Sequence, residues 1–375
     1  MYGEDAMQGE TVRVGIIGAG DFAEVCHIPG IQAHPGARVV ALCARDRERV
    51  AALAARCGVP DVHTDYRELL ARADIDAVTI AGPDALHAPA AIAALAAGKH
   101  VFCEKPLAMD VAEAERMVEA RARSGRVGMV SYTFRYGHAL RRLRRLLEEG
   151  ALGTPCSVAM QVHWGYVGYP GGALIPSYDQ SAQSSSGAWA DAASHLFDAL
   201  AYLLAPPDAV CAQMMIAARE DGIAQPDTVD MATCLARLRL PSAARAAAGS
   251  VASFADREPG IVHAAISANR LDHGPDEIRI VGTRAVAAMA LTRGEHEQVR
   301  TMRAGRADWE EVALPEEAYT EHPHALGRMM GAFVDAVLRG HPDPAHDPSF
   351  EDGLRAQRAI DAALRSARAG SWQEV

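Results

Sequence analysis

The chain has 375 residues, with 48 Asp and Glu against 37 Lys and Arg, a formal net charge of −11, and 49% hydrophobic and 23% charged residues. This length exceeds one ordinary hydrophobic core and predicts two domains of a soluble globular protein. The acidic balance excludes a whole-chain electrostatic footprint for nucleic acid, and no apolar run reaches the ~20 residues that span a bilayer.

Residues 1–11 are polar and acidic, without the basic and apolar segments of a signal peptide, and read as a disordered leader. The seven cysteines are scattered and form no CxxC pair, which points to reduced thiols in a cytoplasmic protein. From 12 to 134 the strands are near-continuous apolar runs, at 12–17, 38–43, 77–80, 101–103 and 127–131. That is the pattern of a parallel sheet covered on both faces. Alanine-rich helical segments at 47–57, 66–72, 88–97 and 111–124 alternate with them. Asp110 is placed to N-cap the last, and Gly98 and Gly125 to end helices.

The first strand runs into Gly18, Gly20 and Ala23, with Asp21 and Phe22 between them. Gly18 suits the tight turn out of the strand. Gly20 lets a pyrophosphate approach the backbone, and the small Ala23 lets the next helix pack close. Such a turn after a clear strand predicts dinucleotide binding.

Beyond 134 a helix over 135–149 ends at Gly150. Its arginine-rich run at 141–145 reads as a solvated helix face, given the net charge. A strand at 158–162 follows, then a loop over 163–186 rich in Gly, Tyr, Ser and Pro, then a helix over 188–204. β-rich segments at 209–217, 230–239, 247–255, 262–268, 277–281 and 285–291 predict a large, mostly antiparallel open sheet. Helices at 325–339 and 351–369 close the chain. The expected fold class is α/β. A doubly wound Rossmann domain spans 12–134, and an α+β domain for substrate binding and oligomerisation spans 135–375.

Residues 98–107 read Gly-Lys-His-Val-Phe-Cys-Glu-Lys-Pro-Leu. With the Gly18 turn, this resembles the glucose–fructose oxidoreductase and inositol dehydrogenase (Gfo/Idh/MocA) family. Its hallmark Glu-Lys-Pro after the fifth strand is matched by Glu104, Lys105 and Pro106. The run from Gly82 and Pro83 to His87 resembles the family's Thr-Pro-Asn-x-x-His turn, with Asp84 in place of the commoner Asn. Phe134-Arg135-Tyr136 resembles its junction segment, and Gly187 to His195 its Asp-x-x-x-His motif. The likeness runs in order from 12 to 375.

The resemblance implies an NAD(P)-dependent oxidoreductase. It would move a hydride between nicotinamide and a carbinol or carbonyl carbon of a sugar, cyclitol or related polyol. Lys105 follows a strand end, where ligands of open α/β sheets bind. Asp191 and His195, four apart in a helical segment, share a face. His195 titrates near neutrality and suits acid/base work, with Lys105 as its partner and Asp191 binding or orienting. Which of Lys105 and His195 moves the proton stays open. Gly18, Gly20, Asp21, Phe22, Ala23, Pro83, His87, Glu104 and Lys105 are the implied cofactor contacts, with His87 near the nicotinamide edge. Arg135, Trp164 and Tyr166 join Lys105, Asp191 and His195 as candidate substrate contacts. Arg135 could equally make a structural salt bridge, and the aromatics could pack under their loop. No metal is expected; His322 and His324 cluster only in sequence, around a proline.

After the second strand, Ala44 stands where NAD enzymes usually place the acid that binds the ribose 2′-OH, and Arg45 follows. The missing carboxylate and the forked guanidinium favour NADP. Asp46 would instead be the ribose acid, favouring NAD, if the strand ended later. The open sheet has a face to cover, which predicts a homodimer or homotetramer. Two rival readings are a non-catalytic nucleotide-binding sensor and a glycosidase-type enzyme with tightly bound NAD. A sensor would be expected to lose Lys105 or the Asp191/His195 pair, and both are kept.

Overall fold

The computed structural model describes residues 11–163, 188–215, 231–240, 261–269, 276–290, 297–315 and 325–375. The leader, Trp164, Tyr166, the expected strand at 247–255, and His322 with His324 lie outside them. The chain divides into two compact units, Met1–Thr133 with His324–Leu354, and Phe134–Pro323 with Arg355–Val375. No helix among the described residues is long and apolar enough to cross a membrane.

The first unit holds a parallel sheet of β1 (Val12–Ile17), β2 (Ala37–Cys43), β3 (Asp61–His63), β4 (Ala77–Ile80), β5 (His100–Cys103) and β6 (Gly128–Val130). Its strand order is β3-β2-β1-β4-β5-β6. The order reverses between β1 and β4, the switch point at which open α/β sheets bind ligands. After β1 the chain winds as a π turn over Ala23–His27 and continues as α1 (Ile28–Gln32). A regular helix is blocked there by Pro29, which has no N–H for the Val25 carbonyl and crowds it; the wider winding relieves both.

Further helices are α2 (Arg47–Cys57), α3 (Tyr66–Leu70), α4 (Asp84–Ala96) and α5 (Val111–Ser124). Asp46 and Asp110 N-cap α2 and α5, accepting the N–H groups of Arg49 and Glu113. β3 escapes the sequence reading because Asp-Val-His is too short and polar to show an apolar run.

α8 (Ala325–Arg339) also clusters with this unit, although the sequence groups it with the second domain. It buries Met329, Met330, Phe333 and Val334, each large side chain contributing about 1.5–3 kcal/mol. The Phe333 ring lies 5.4 Å from that of Phe102 on β5. His34 accepts the Gly36 N–H on Nδ1, so its Nε2–H donates to Asp335, at 3.2 Å.

His100 at the start of β5 accepts the Val127 N–H on Nδ1. Burial and the nearby Arg126 lower its pKa from 6.5 to about 4. The unfolded chain therefore takes up this proton at a higher pH than the folded chain. Stability should be complete above about pH 6.5 and decline as pH falls toward about 4. Urea unfolding at the two ends of that window should show a larger loss in the wild type than in His100→Gln. An equal loss in both would remove His100 from the account.

The second unit opens with a 3₁₀ turn over Thr133–Tyr136 and α6 (His138–Glu148). β7 (Pro155–His163), α7 (Ala188–Leu203), β8 (Pro207–Met215), β9 (Met231–Arg239) and β10 (Ile261–Asn269) follow. Next come β11 (Glu277–Gly282), β12 (Ala285–Ala290), β13 (Val299–Arg303), β14 (Glu310–Val312), α9 (Phe350–Ala369) and β15 (Gln373–Glu374). Among the described residues, the sheet runs β14-β13-β12-β11-β7-β10-β9-β8-β15. Only the β7–β10 pair in it is parallel. The strands alternate as a one-sided sheet must. Val158, Met160, Cys234, Ala236, Ala264, Ile266, Ile278 and Ile280 are buried. α7 packs on β10, and α6 on β12 and β13. Between the buried positions, Thr233, Leu235, His263, Ala265 and Arg279 are exposed.

Candidate active site

The glycine turn leaves β1 at its carboxyl end. Gly18 has φ +81°, and a Cβ there would lie 2.3 Å from the Gly82 nitrogen, so no side chain fits. The Gly18 and Ala19 N–H groups donate to the Cys43 carbonyl at 2.8 and 3.0 Å, tying the turn to the end of β2. At Gly20 a Cβ would meet only the Gly18 oxygen, at 3.9 Å. That open space above the backbone is the room a pyrophosphate needs. Ala23 is buried beneath the turn, while Asp21 and Phe22 are exposed. The residues present therefore fit a dinucleotide.

On the ribose side, β2 ends at Cys43 and Ala44 follows, with Arg45 exposed. Asp46 is engaged as the α2 N-cap. Asp21 pairs instead with Arg49, at 2.5 Å across an exposed surface.

Lys105 follows β5, and β4 separates β5 from β1. All three strands run parallel, so Lys105 and the Gly18 turn share one sheet edge, two strand spacings of ~4.8 Å apart. Lys105 is half-buried, and its peptide bond to Pro106 is cis. Pro83 is exposed and stands at the N-cap position of α4.

Glu104 and His87 are both buried. Glu104 is 7% exposed and turned into the unit. It accepts from His27 Nε2 at 3.0 Å and from the Lys105 N–H at 3.3 Å. Burial by itself would raise its pKa; the hydrogen bond and charge of His27, then Lys105 and the Ser131 hydroxyl, outweigh burial and hold the carboxyl below its ordinary value. His27 itself is fully buried, edge-on to Phe22 and Phe102, and nothing in the sequence spacing marks it. His87 is 1% exposed, and both ring nitrogens face backbone carbonyls, Pro106 at 2.8 Å and Gly82 at 3.0 Å. The ring thus lies between two backbone carbonyls. Cys103 is buried too; desolvation first, then the charges of Glu104 and Asp84, push its thiol well up, which disqualifies it as a nucleophile.

In the second unit, Asp191, His195 and Asp198 stand at i, i+4 and i+7 on α7 and so share a face. Asp191 is half-buried and His195 is 5% exposed. Phe134 stacks on the His195 ring, with centroids 4.7 Å apart and an interplanar angle of 26°. Arg135 is buried, and its guanidinium is held by Asp198: Nε lies 2.9 and 3.1 Å from the two carboxylate oxygens and Nη2 2.5 Å from one. The Tyr202 ring lies 5.1 Å below it. Of the two roles open to Arg135, the salt bridge is present. The sequence reading missed Asp198, although its helical spacing from Asp191 and His195 could have shown it. Among the described residues no group of three or more His, Cys, Asp or Glu is placed to hold a metal ion.

Comparison with known proteins adds sequence-wide likeness to this geometry. A family model described as "Oxidoreductase family, NAD-binding Rossmann fold" matches residues 12–132, and a "GFO/IDH/MocA C-terminal domain" model matches 140–288. An uncharacterized oxidoreductase, ORF334 of Rhizobium meliloti, is 45% identical over 31% of this chain and 35% of its own length. Inositol 2-dehydrogenase 3 of Saccharopolyspora erythraea is 35% identical over 52% of this chain and 54% of its own. These matches thus span from about a third to about half of the relatives' lengths. A solved levoglucosan dehydrogenase, in complex with NADH and levoglucosan, is 26% identical with a TM-score of 0.82, covering 98% of this chain and 100% of that one.

Proposed function

The chain belongs to the GFO/IDH/MocA oxidoreductase family, and from this we propose that it is an NAD(P)-dependent dehydrogenase or reductase. Its substrate would be a carbinol or carbonyl carbon of a sugar, cyclitol or related polyol. One observation carries the reading: Lys105 and an open glycine turn that fits a dinucleotide stand at the same edge of one parallel sheet. The relatives' names, inositol 2-dehydrogenase and levoglucosan dehydrogenase, support the substrate class.

Gly18, Gly20 and Ala23 would hold the pyrophosphate, and Ala44 with Arg45 the adenosine ribose. When bound, the nicotinamide supplies or accepts the hydride. The Lys105 ammonium binds the substrate oxygen and offsets charge developing on it. His195, stacked on Phe134, takes or returns the hydroxyl proton at an imidazole nitrogen, and Asp191 binds or orients. All seven cysteines are free thiols, which fits a cytoplasmic enzyme.

The absence of an acid at position 44 and the commitment of Asp46 to the α2 cap support NADP over NAD. Parallel calorimetric titrations with NADPH and NADH test this. NADPH should bind more tightly, and Arg45→Ala should weaken NADPH by about tenfold with little change for NADH, the size of one lost charge-assisted pair. Tighter NADH binding would reverse the cofactor assignment, and no binding of either would sink the function.

The sheet face that carries Leu235, exposed between buried neighbours among the described residues, is assigned to contact between copies of the chain. Light scattering should show a dimer or tetramer that Leu235→Glu dissociates. A monomeric wild type would overturn this assignment.

A further inference from the structure

We propose that His27 is a positioning residue for Lys105: from the turn that follows β1, its Nε2 holds the Glu104 carboxylate, which in turn holds the Lys105 backbone. The chain has two lysines, Lys99 and Lys105, and the rest of its 37 Lys and Arg are arginine. A lysine carries its charge on a flexible four-carbon stem, so the place of its ammonium depends on how firmly its backbone is set. The Glu104 carboxylate spans the gap between turn and lysine. One oxygen lies 3.0 Å from His27 Nε2, and the other accepts the Lys105 N–H at 3.3 Å. Glu104 is held ionised, and a carboxylate only accepts, so Nε2 bears a hydrogen whatever the state of Nδ1.

Packing does not account for a histidine here. The ring is fully buried, and its Nδ1 has no hydrogen-bond partner among the described residues. A buried nitrogen left unmatched costs stability. Phenylalanine would fill the same slot, edge-on to Phe22 and Phe102 with centroids 5.6 and 5.8 Å away, and would bury no polar atom. The donor to Glu104 is what the imidazole adds. Its place in the chain gives that donor a use. His27 ends the π turn that starts at Ala23, beneath the glycine turn, and Phe22 belongs to the glycine turn itself. Glu104 directly follows β5. One buried bond between residues 77 apart in sequence therefore joins the turn that fits a dinucleotide to the strand end that carries Lys105.

Two measurements test this. Protein labelled with ¹⁵N-lysine gives two backbone amide signals, and the one missing from Lys105→Met identifies Lys105. The Lys99 amide, which donates to the Ala94 carbonyl at 2.9 Å, is the reference within the same unit. His27→Phe should speed hydrogen exchange at Lys105 by at least about tenfold, the scale of a lost hydrogen bond to a charged group, and leave Lys99 unchanged. His27→Gln, whose side-chain amide can donate in place of Nε2, should keep Lys105 protected. Unchanged exchange in His27→Phe, or equal acceleration at both lysines, would overturn the proposal. A wild-type Lys105 amide that exchanges as fast as an unstructured chain would overturn it without any variant, even if His27→Phe does not fold. This arm uses the protein without cofactor and stands whatever reaction is catalysed. The second arm rests on the dehydrogenase reading. His27→Phe should lower kcat by about 100-fold, the size expected of a reacting group displaced by about 1 Å, while KM for the polyol changes far less. His27→Gln should recover most of that loss. An unchanged kcat in folded His27→Phe would overturn the positioning role. A wild type inactive on every polyol would overturn the dehydrogenase reading and leave the exchange measurement to decide on His27.

Discussion

Lys105→Met is expected to lower turnover by about 10³-fold while nicotinamide dinucleotide affinity stays within about threefold. The size follows from the role. The ammonium would offset charge on the substrate oxygen as the hydride moves, an interaction that strengthens toward the transition state and so appears in kcat. Affinity for the dinucleotide should persist because the Gly18 turn is tied to Cys43 through backbone groups that the substitution does not touch. Lys105→Arg keeps the charge but replaces a compact donor with a planar fork, and it should rescue little. Comparison with His195→Asn decides which residue moves the proton. The pH–rate profile should lose its titrating limb in the variant of the residue that titrates, and keep it in the other. A Lys105→Met enzyme that kept more than about a tenth of wild-type kcat would remove the lysine from the chemistry.

Local features of this fold can be read in the sequence because they rest on local physics. The glycine turn, the Asp110 cap, the Gly125 helix end and the apolar runs of β1, β2 and β4 need only neighbouring residues to define them. What escapes the reading depends on distant partners. The apolar stripe of α8 shows that a face is buried; it does not say that Phe102 and His34 of the first unit bury it. The same holds in the site. Glu104, His87 and Arg135 are polar residues in motif positions, and the natural expectation is that they meet a ligand. Each also has a partner inside the protein: His27 for Glu104, two backbone carbonyls for His87 and Asp198 for Arg135. Lys105, Asp191 and His195 are named from motifs, and the variants above test Lys105 and His195. His27 and Asp198 escape the motifs, because their partners Glu104 and Arg135 lie 77 and 63 residues away along the chain.

Arg135 and Asp198 give the largest expected effect on stability. Their side chains are 6% and 1% exposed, and two guanidinium nitrogens meet the carboxylate. Removing one member takes this ion-pair partner from the other buried charge, which typically costs about 3–5 kcal/mol. Arg135→Met and Asp198→Leu should each destabilise the second unit by that amount. The double variant should recover most of the loss, since two apolar side chains of similar volume need no partner. The cycle should give a coupling energy of several kcal/mol, measured by urea unfolding with near-ultraviolet circular dichroism; Trp189, buried on the same helix, contributes to that signal. Additive losses would show that the pair is not coupled. Activity should separate from stability here. Phe134, which stacks on His195, is the neighbour of Arg135, so the ion pair also fixes the platform beneath the proposed acid/base. The double variant should therefore regain stability without regaining full kcat. Recovery of both together would mean that the pair holds the fold and nothing finer.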